Sequence, residues 1–228
     1  MVEKPIISAA EAAAKINEGD VVMVGGFMAS GSPHSVIEAL KAKGTKNMVL
    51  VCNDCGVHNL KTGQQTGVAH LVVDKAFKKV IVSHIGLNQE IQRQMNAGET
   101  EVQLVPQGTL AEQIRAFGAG LGGFLTPTGV GTEVQDGKQV INVNNKPYLL
   151  EVGLGGDVAL IKAKKGDKAG NLVYAGNARN FNTLMATANT TVIAEVEELV
   201  EVGEIDPNEV QTPSIFVDFI VKATRLEQ

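Results

Sequence analysis

The feature that most restricts how this chain can fold is a rhythm of uninterrupted apolar runs. Val21-Val22-Met23-Val24 has no polar face. A strand with one side in water alternates polar and apolar residues, so a continuous run marks a strand buried on both sides, as in a parallel sheet. Met48 to Cys52, Lys79 to Ser83, Glu101 to Val105, Val158 to Ala163 and Thr191 to Glu195 read as further strands. Helical segments stand between them. Ser8 with Glu11 makes a capping box for a helix running to about Asn17. His34 to Lys43 places Val36, Ile37 and Leu40 on one face, and Thr109 to Phe117 does the same with Leu110, Ile114 and Phe117. Glu90 to Asn96 and Phe181 to Ala188 also read as helices. Strands joined through helices imply an α/β fold: an open, mostly parallel sheet with helices on both faces.

Some segments resist that reading. Val68 to Val72 fits a helix or a short strand, and Phe216 to Ala223 fits a closing strand or a short helix. Gly118 to Gly131 reads as a glycine-rich loop. Glu133 to Leu150 alternates polar and apolar residues around Asp136-Gly137 and Asn144-Asn145, the pattern of a β-hairpin excursion. The sequence shows no repeat, low-complexity tract or linker. With 228 residues, 44% of them hydrophobic, residues 1–228 are expected to form a single domain.

Composition removes several functions. The net charge is -5, and the basic residues are scattered apart from Lys162 to Lys168. Nucleic acid binding needs a concentrated positive face and is not expected. No apolar stretch approaches the ~18 residues of a membrane span. Residues Ile6 to Ile16 interleave Ala with Glu and Lys, a helix pattern and not that of a secretion signal. Cys52 and Cys55 are spaced as a redox pair or half a zinc site. No second pair completes a zinc site, and the apolar run before them favours small buried residues at a strand end. The expectation is a reduced, cytoplasmic protein. His34, His58, His70 and His84 lack metal-ligand spacing, so no metal is expected, and His84 is expected to pack beside the site.

The segment Asp20 to Pro33 carries the clearest chemical pattern. An apolar strand runs into Gly25-Gly26-Phe27-Met28-Ala29-Ser30-Gly31, and a helix follows Pro33. Glycines let backbone N–H groups approach a ligand, and the helix aims its positive end at the same place. The spacing is neither that of a P-loop nor the dinucleotide G-x-G-x-x-G. A loop for a phosphate or acyl thioester and a merely tight turn fit it equally. Ser30 and Ser32 lie outside any G-x-S-x-G and read as turn or cap residues. Lys162 and Arg179 read as solvated charge or as counter-ions to an anionic ligand, Glu195 to Glu201 as a strand end with acidic surface, and Arg179 to Asn182 as a structural elbow.

Several segments in order match one family. They are Gly25-Gly26-Phe27 with Gly31 and Pro33; Asn53-Asp54; Ser83-His84-Ile85-Gly86; Pro106-Gln107-Gly108-Thr109; Gly122 to Thr132; Gly170-Asn171-Leu172; and Ala178 to Asn182. Together they resemble the α subunits of family I (3-oxoacid) coenzyme A transferases, nearest to those acting on acetate, butyrate or acetoacetate. The resemblance implies an enzyme subunit that exchanges CoA between an acyl-CoA and a carboxylate. CoA would be a substrate, with no permanently bound cofactor. The attacking glutamate would lie in a Ser-Glu-Asn-Gly motif of a β partner, since that motif is absent here. It further implies an α2β2 assembly, Gln107 as an oxyanion donor, Gly25 to Gly31 lining the CoA and acyl pocket, and Asn53 near the CoA thiol. The alternative is a non-catalytic acyl-CoA or phosphosugar binding protein of related fold.

Overall fold

A computed structural model describes residues 2–224. Its strands are β1 (Ile6–Ile7), β2 (Val21–Val24), β3 (Met48–Asp54), β4 (Phe77–His84), β5 (Glu101–Leu104), β6 (Gly123–Thr126), β7 (Val140–Val143), β8 (Lys146–Val152), β9 (Gly156–Asp167), β10 (Leu172–Val173), β11 (Asn189–Val200) and β12 (Phe219–Lys222). Its α-helices are α1 (Ala9–Ala14), α2 (His34–Lys43), α3 (Ala69–Val73), α4 (Gln89–Asn96), α5 (Gln107–Gly118) and α6 (Asn182–Met185).

Among the described residues, nine strands form the main sheet in the order β1-β12-β11-β9-β2-β3-β4-β5, with β10 hydrogen-bonded to β9. Every pairing along that path is parallel, and only β10 runs antiparallel to its neighbour. From β2 the chain winds outward through β3, β4 and β5. It then returns to the other side of β2 and winds the opposite way through β9, β11 and β12. The carboxyl ends of β2 and β9 therefore flank the point where the winding reverses, which opens a crevice in sheets of this kind. The glycine-rich loop leaves β2 at that point, and its first N–H, Gly25, bonds to Leu160 O of β9 at 2.9 Å.

The helices cover both faces. One buried cluster joins Ala12, Ile16, Val36, Ile37, Leu40, Leu71 and Ile91 to Val22, Leu50, Val80 and Leu160 of the sheet. The other joins Leu110, Ile114 and Met185 to Met23, Val51, Ile81 and Ile161. Alternate residues of one strand thus feed opposite cores, which is why these runs carry no polar face. Of residues 68–72, undecided from sequence, Val68 stands at the N-cap and the rest lie in α3, with Leu71 and Val72 packed into the first cluster.

A second, three-stranded antiparallel sheet has the order β6-β8-β7. Asn144 and Asn145, with φ of 51° and 61°, make the hairpin turn. Both central residues lie in the left-handed region, which Asn tolerates. Buried Glu151 accepts from Lys138 Nζ at 2.6 Å and Gln113 Nε2 at 2.9 Å, tying this sheet to α5.

The structure corrects several expectations. The segment read as a glycine-rich loop contains β6, because Gly123 to Thr126 pairs with Leu149 to Val152. Asp136-Gly137 follows a short 3-10 helix and does not turn the hairpin. The first helix stops at Ala14, and the helix expected over Phe181 to Ala188 is the single turn α6. β11 runs on to Val200, so Glu195 lies inside a strand with none of its surface exposed. It does not begin an acidic surface: its carboxylate accepts from Ser35 N at 2.9 Å, Val36 N at 3.2 Å and Ser35 Oγ at 3.1 Å, anchoring the start of α2. Lys162 is 2% exposed and pairs with Glu197 at 3.1 Å, so it is not solvated charge.

Replacing fully buried Leu160 by Ala should cost about 2–5 kcal/mol in a urea unfolding experiment. Ile215→Ala, at a site 78% exposed, should change stability by less than about 0.5 kcal/mol. A second test concerns pH. Burial raises the Glu195 carboxyl above its ordinary 4.5, against the pull of its donors and of Lys162. The folded state then holds this proton more tightly than the unfolded chain, so Glu195 removes stability as pH rises above about 4.5. The unfolding free energy of wild type minus that of Glu195→Gln should fall from that pH toward neutrality. A difference that grows would contradict it.

Candidate active site

The carboxyl ends of β2, β3, β4 and β5 deliver, in turn, the glycine-rich loop, Asn53-Asp54, Ser83-His84 and Pro106-Gln107 to one edge of the sheet. Parallel pairing makes this unavoidable: Asp54 lies beside His84, and Val82 beside Leu104. Residues far apart in sequence therefore converge because each ends a strand or begins the next element.

The loop is a two-residue turn. Phe27 and Ser30 exchange both backbone hydrogen bonds at 3.0 Å. The central residues, Met28 and Ala29, have φ of 50° and 71°. Neither is Gly, Asn or Asp, so each costs of order 1–3 kcal/mol of backbone strain that surrounding contacts must offset. Those contacts are specific. Met28 N donates to Asp54 Oδ2 at 2.8 Å, Asn180 Nδ2 donates to Ser30 O at 3.1 Å, and Ser30 Oγ donates to Asn177 Oδ1 at 2.7 Å. Phe27 and Met28 are left 37% and 51% exposed at the rim.

The glycines serve packing as much as approach to a ligand. Gly25, Gly26 and Gly31 are all buried. A Cβ on Gly25 would meet Asn182 Oδ1 at 1.9 Å, and one on Gly31 would meet Ala178 O at 2.9 Å. Asn182, wholly buried, accepts from Lys162 N at 3.0 Å and donates to Gly31 O at 3.0 Å and Ala178 O at 2.8 Å. The elbow read from Arg179 to Asn182 is thus the support on which the loop rests.

Gln107 occupies the first position of α5, after Pro106, and no side chain caps that helix, so its positive end faces the same edge. The Gln107 side chain is exposed, and its Nε2 donates to Asn53 Oδ1 at 2.8 Å. Ser83 Oγ donates to the same oxygen at 3.0 Å and to Asn53 O at 2.8 Å. Asn53 Nδ2 donates to Asp54 Oδ2 at 2.8 Å, and Gly56 N donates to Asp54 Oδ1 at 2.9 Å. A continuous hydrogen-bonded chain thus runs from Gln107 through Asn53 and Asp54 to the turn at Met28. Every site residue expected from the sequence lies on this chain or on the loop it reaches.

Other expectations fare differently. Cys52 and Cys55 are free and buried, and burial pushes the Cys52 thiol up, so Cys52 is not poised as a thiolate. His84 is exposed rather than packed, and its ring lies against Gly86, where an added Cβ would meet Cε1 at 2.7 Å. Arg179 lines a groove with Asn208 and Gln211. Among the described residues, no cluster of three or more His, Cys, Asp or Glu is arranged to hold a metal, and no helix is long and apolar enough to cross a membrane. Ser83 and Asp54 were legible as motif letters only; their contacts depend on strand register.

A family model described as coenzyme A transferase matches residues 6–223. The chain belongs to that family. It is 48% identical over 204 residues to the alpha subunit of the acetate CoA-transferase of Escherichia coli K12, covering 90% of each chain. It is 44% identical over 225 residues to one subunit of a probable succinyl-CoA:3-ketoacid coenzyme A transferase of Bacillus subtilis, covering 99% of this chain and 92% of the other. Its fold matches an acyl-CoA transferase of Escherichia coli O157:H7 solved as a thioester complex with CoA, with a TM-score of 0.86 at 21% identity. That match covers 99% of this chain and 48% of the other, so this chain spans about half the length of that protein.

Gly25→Ala should be among the most damaging small substitutions here. The added methyl must displace Asn182, which holds both the loop and β9. The expected result is about 2–4 kcal/mol of lost stability, typical of breaking a buried hydrogen-bond network, measured by thermal or urea unfolding. Gly120→Ala, with nothing within 4 Å of the new Cβ but φ of 71°, should cost only about 1 kcal/mol.

Proposed function

We propose that this chain is the α subunit of a short-chain acyl-CoA:carboxylate CoA-transferase of the acetate, butyrate or acetoacetate type. It supplies the loop Gly25 to Gly31 and Asn53 to the CoA and acyl pocket, and Gln107 as an oxyanion donor. A β subunit with a Ser-Glu-Asn-Gly motif supplies the nucleophile. The observation that carries the reading is the exposed Gln107 amide, held by Asn53 at the carboxyl edge beside the strained turn.

The chemistry fits the residues present. A glutamate carboxylate adds to the acyl-CoA carbonyl and forms a tetrahedral oxyanion. Collapse expels CoA thiolate and leaves an acyl-glutamyl anhydride. The thiolate then adds to the glutamyl carbonyl and expels the first acid as its carboxylate, leaving a glutamyl-CoA thioester. A second carboxylate reverses the sequence and takes the CoA. Each addition develops negative charge on one oxygen, and a preorganised N–H donor there lowers every barrier. An amide donates without titrating, so the donor persists across pH. Within this relay the one carboxylate, Asp54, is 7% exposed and has both oxygens engaged by N–H groups, which leaves it unsuited to attack an acyl group.

The need for a partner has its own support. Phe27, Met28, Leu87 and Leu104 are 37%, 51%, 38% and 53% exposed around this edge. Apolar side chains gathered at a rim mark a contact surface. We infer that the β subunit covers them and that two such pairs associate about a two-fold axis as α2β2.

The test is CoA transfer from acetoacetyl-CoA to acetate by this chain alone, with its β subunit, and with β after Gln107→Ala. The expected result is no transfer by the chain alone, transfer by the complex, and a kcat about 10²–10³ lower for Gln107→Ala. Transfer by the chain alone, or an unaffected Gln107→Ala complex, contradicts the assignment. Acyl-CoA binding without transfer in any mixture would favour a non-catalytic binding protein.

A further inference from the structure

Asp54 has no place in the chemistry above, yet it sits where the relay meets the turn. We propose that Asp54 is a positioning residue: its carboxylate fixes the polarity of the Asn53 and Gln107 amides, and so decides which atom of Gln107 faces the reaction. The proposal rests on the reading of Gln107 as oxyanion donor and deepens it.

The argument follows from what each group can and cannot do. A carboxylate only accepts hydrogen bonds. Asp54 receives Met28 N and Asn53 Nδ2 on Oδ2 and Gly56 N on Oδ1, at 2.8, 2.8 and 2.9 Å. Whichever end of the Asn53 amide meets it must therefore be the NH2 end. The amide is planar and bipolar, so its oxygen is turned the other way, to Ser83 Oγ and Gln107 Nε2. An acceptor at that position in turn selects the NH2 end of Gln107. One Gln107 N–H is consumed by Asn53, and the second has a direction set by the plane of the amide. If Asn53 were reversed, Gln107 would reverse with it. A carbonyl oxygen would then stand where the donor now stands, and it would repel an oxyanion bound there.

Geometry reinforces this choice. Asn53 is 2% exposed and Asp54 7%, so water cannot substitute freely for either contact. Asp54 and the Asn53 backbone lie within β3, and Asp54 pairs in register with His84. The carboxylate is thus fixed by the sheet, while Gln107 stands exposed at a helix start. Rigidity passes from the sheet to the exposed amide through two side chains. The same Oδ2 also holds the N–H of Met28, so one oxygen coordinates the loop with the donor.

The experiment uses the complex with the β subunit. Asp54→Ala removes every acceptor and should lower kcat about tenfold to a hundredfold, the size of effect expected from misplacing a catalytic group. Asp54→Asn keeps one oxygen, which can still accept from Met28 N and Asn53 Nδ2 while the contact from Gly56 N is lost. It should return kcat to within about fivefold of wild type. The decisive readout is coupling: Asp54→Ala combined with Gln107→Ala should be no slower than Gln107→Ala alone, within about twofold. A kcat for Asp54→Ala within about threefold of wild type overturns the proposal. So do losses that multiply in the double variant, since they mean that Asp54 acts independently of Gln107. Gln107→Ala reports separately: if it leaves kcat intact, the donor reading itself fails, whereas a large loss there with multiplying effects sinks only the role of Asp54. Should Asp54→Ala not assemble with the β subunit, Asn53→Ala breaks the relay while leaving the contact from Met28 N in place. It must then show the same coupling to Gln107→Ala, and independent losses overturn the proposal.

Discussion

A single buried carboxamide holds the site together. Asn182 has no exposed surface, and its three hydrogen bonds reach β9, the glycine-rich loop and the Ala178 carbonyl. An unsatisfied amide in that position would cost about 1–3 kcal/mol for each lost partner. The loop therefore cannot drift from β9 without orphaning Asn182, and Asn182 cannot turn without releasing the loop. Gly25 and Gly31 are the counterpart of this arrangement: they remove the side chains that would otherwise occupy the space of the carboxamide.

From that seat outward, the strain of the turn becomes intelligible. Met28 and Ala29 adopt left-handed backbone without the help of glycine, and the N–H of Met28 is met by Asp54 from the neighbouring strand. Strained backbone at a site persists only where its surroundings over-determine it. Here Asn177, Asn180 and Asn182 do so from the segment leading into α6, and Asp54 does so from β3. The result is a rigid rim carrying Phe27 and Met28, opposite an amide whose orientation is relayed from the same carboxylate. Rigidity of this kind is what electrostatic stabilisation of a developing charge requires, because donors that must reorganise contribute less.

Much of the architecture can be read directly from local patterns. The helix over His34 to Lys43 and the strand over Val21 to Val24 begin and end where periodicity places them. Where the sequence misleads, the reason is packing or pairing. β6 is four residues inside a glycine-rich stretch, and only antiparallel pairing with β8 makes it a strand. Glu195 follows an apolar run and precedes more acidic residues, which resembles a strand end. Its burial is tolerated because the N-terminus of α2, over a hundred residues earlier in the chain, presents N–H groups to it. Lys162 is buried for the parallel reason that Glu197 lies nearby on the adjacent strand.

The sequence by itself determined the alternation of buried strands and amphipathic helices, and hence the parallel α/β class, because those signals are carried by residues a few positions apart. It also placed Gly25 to Gly31, Asn53 and Gln107 after apolar runs, which in a parallel sheet means on one edge. Only the tertiary structure decided that Asp54 faces Met28, that Asn53 turns its oxygen to Gln107, and that the glycines make room for Asn182. These contacts join residues 26 to 157 positions apart, and their geometry is set by strand register and by the reversal of winding at β2. No local pattern encodes either quantity, since both are satisfied only when the whole sheet has closed its hydrogen bonds.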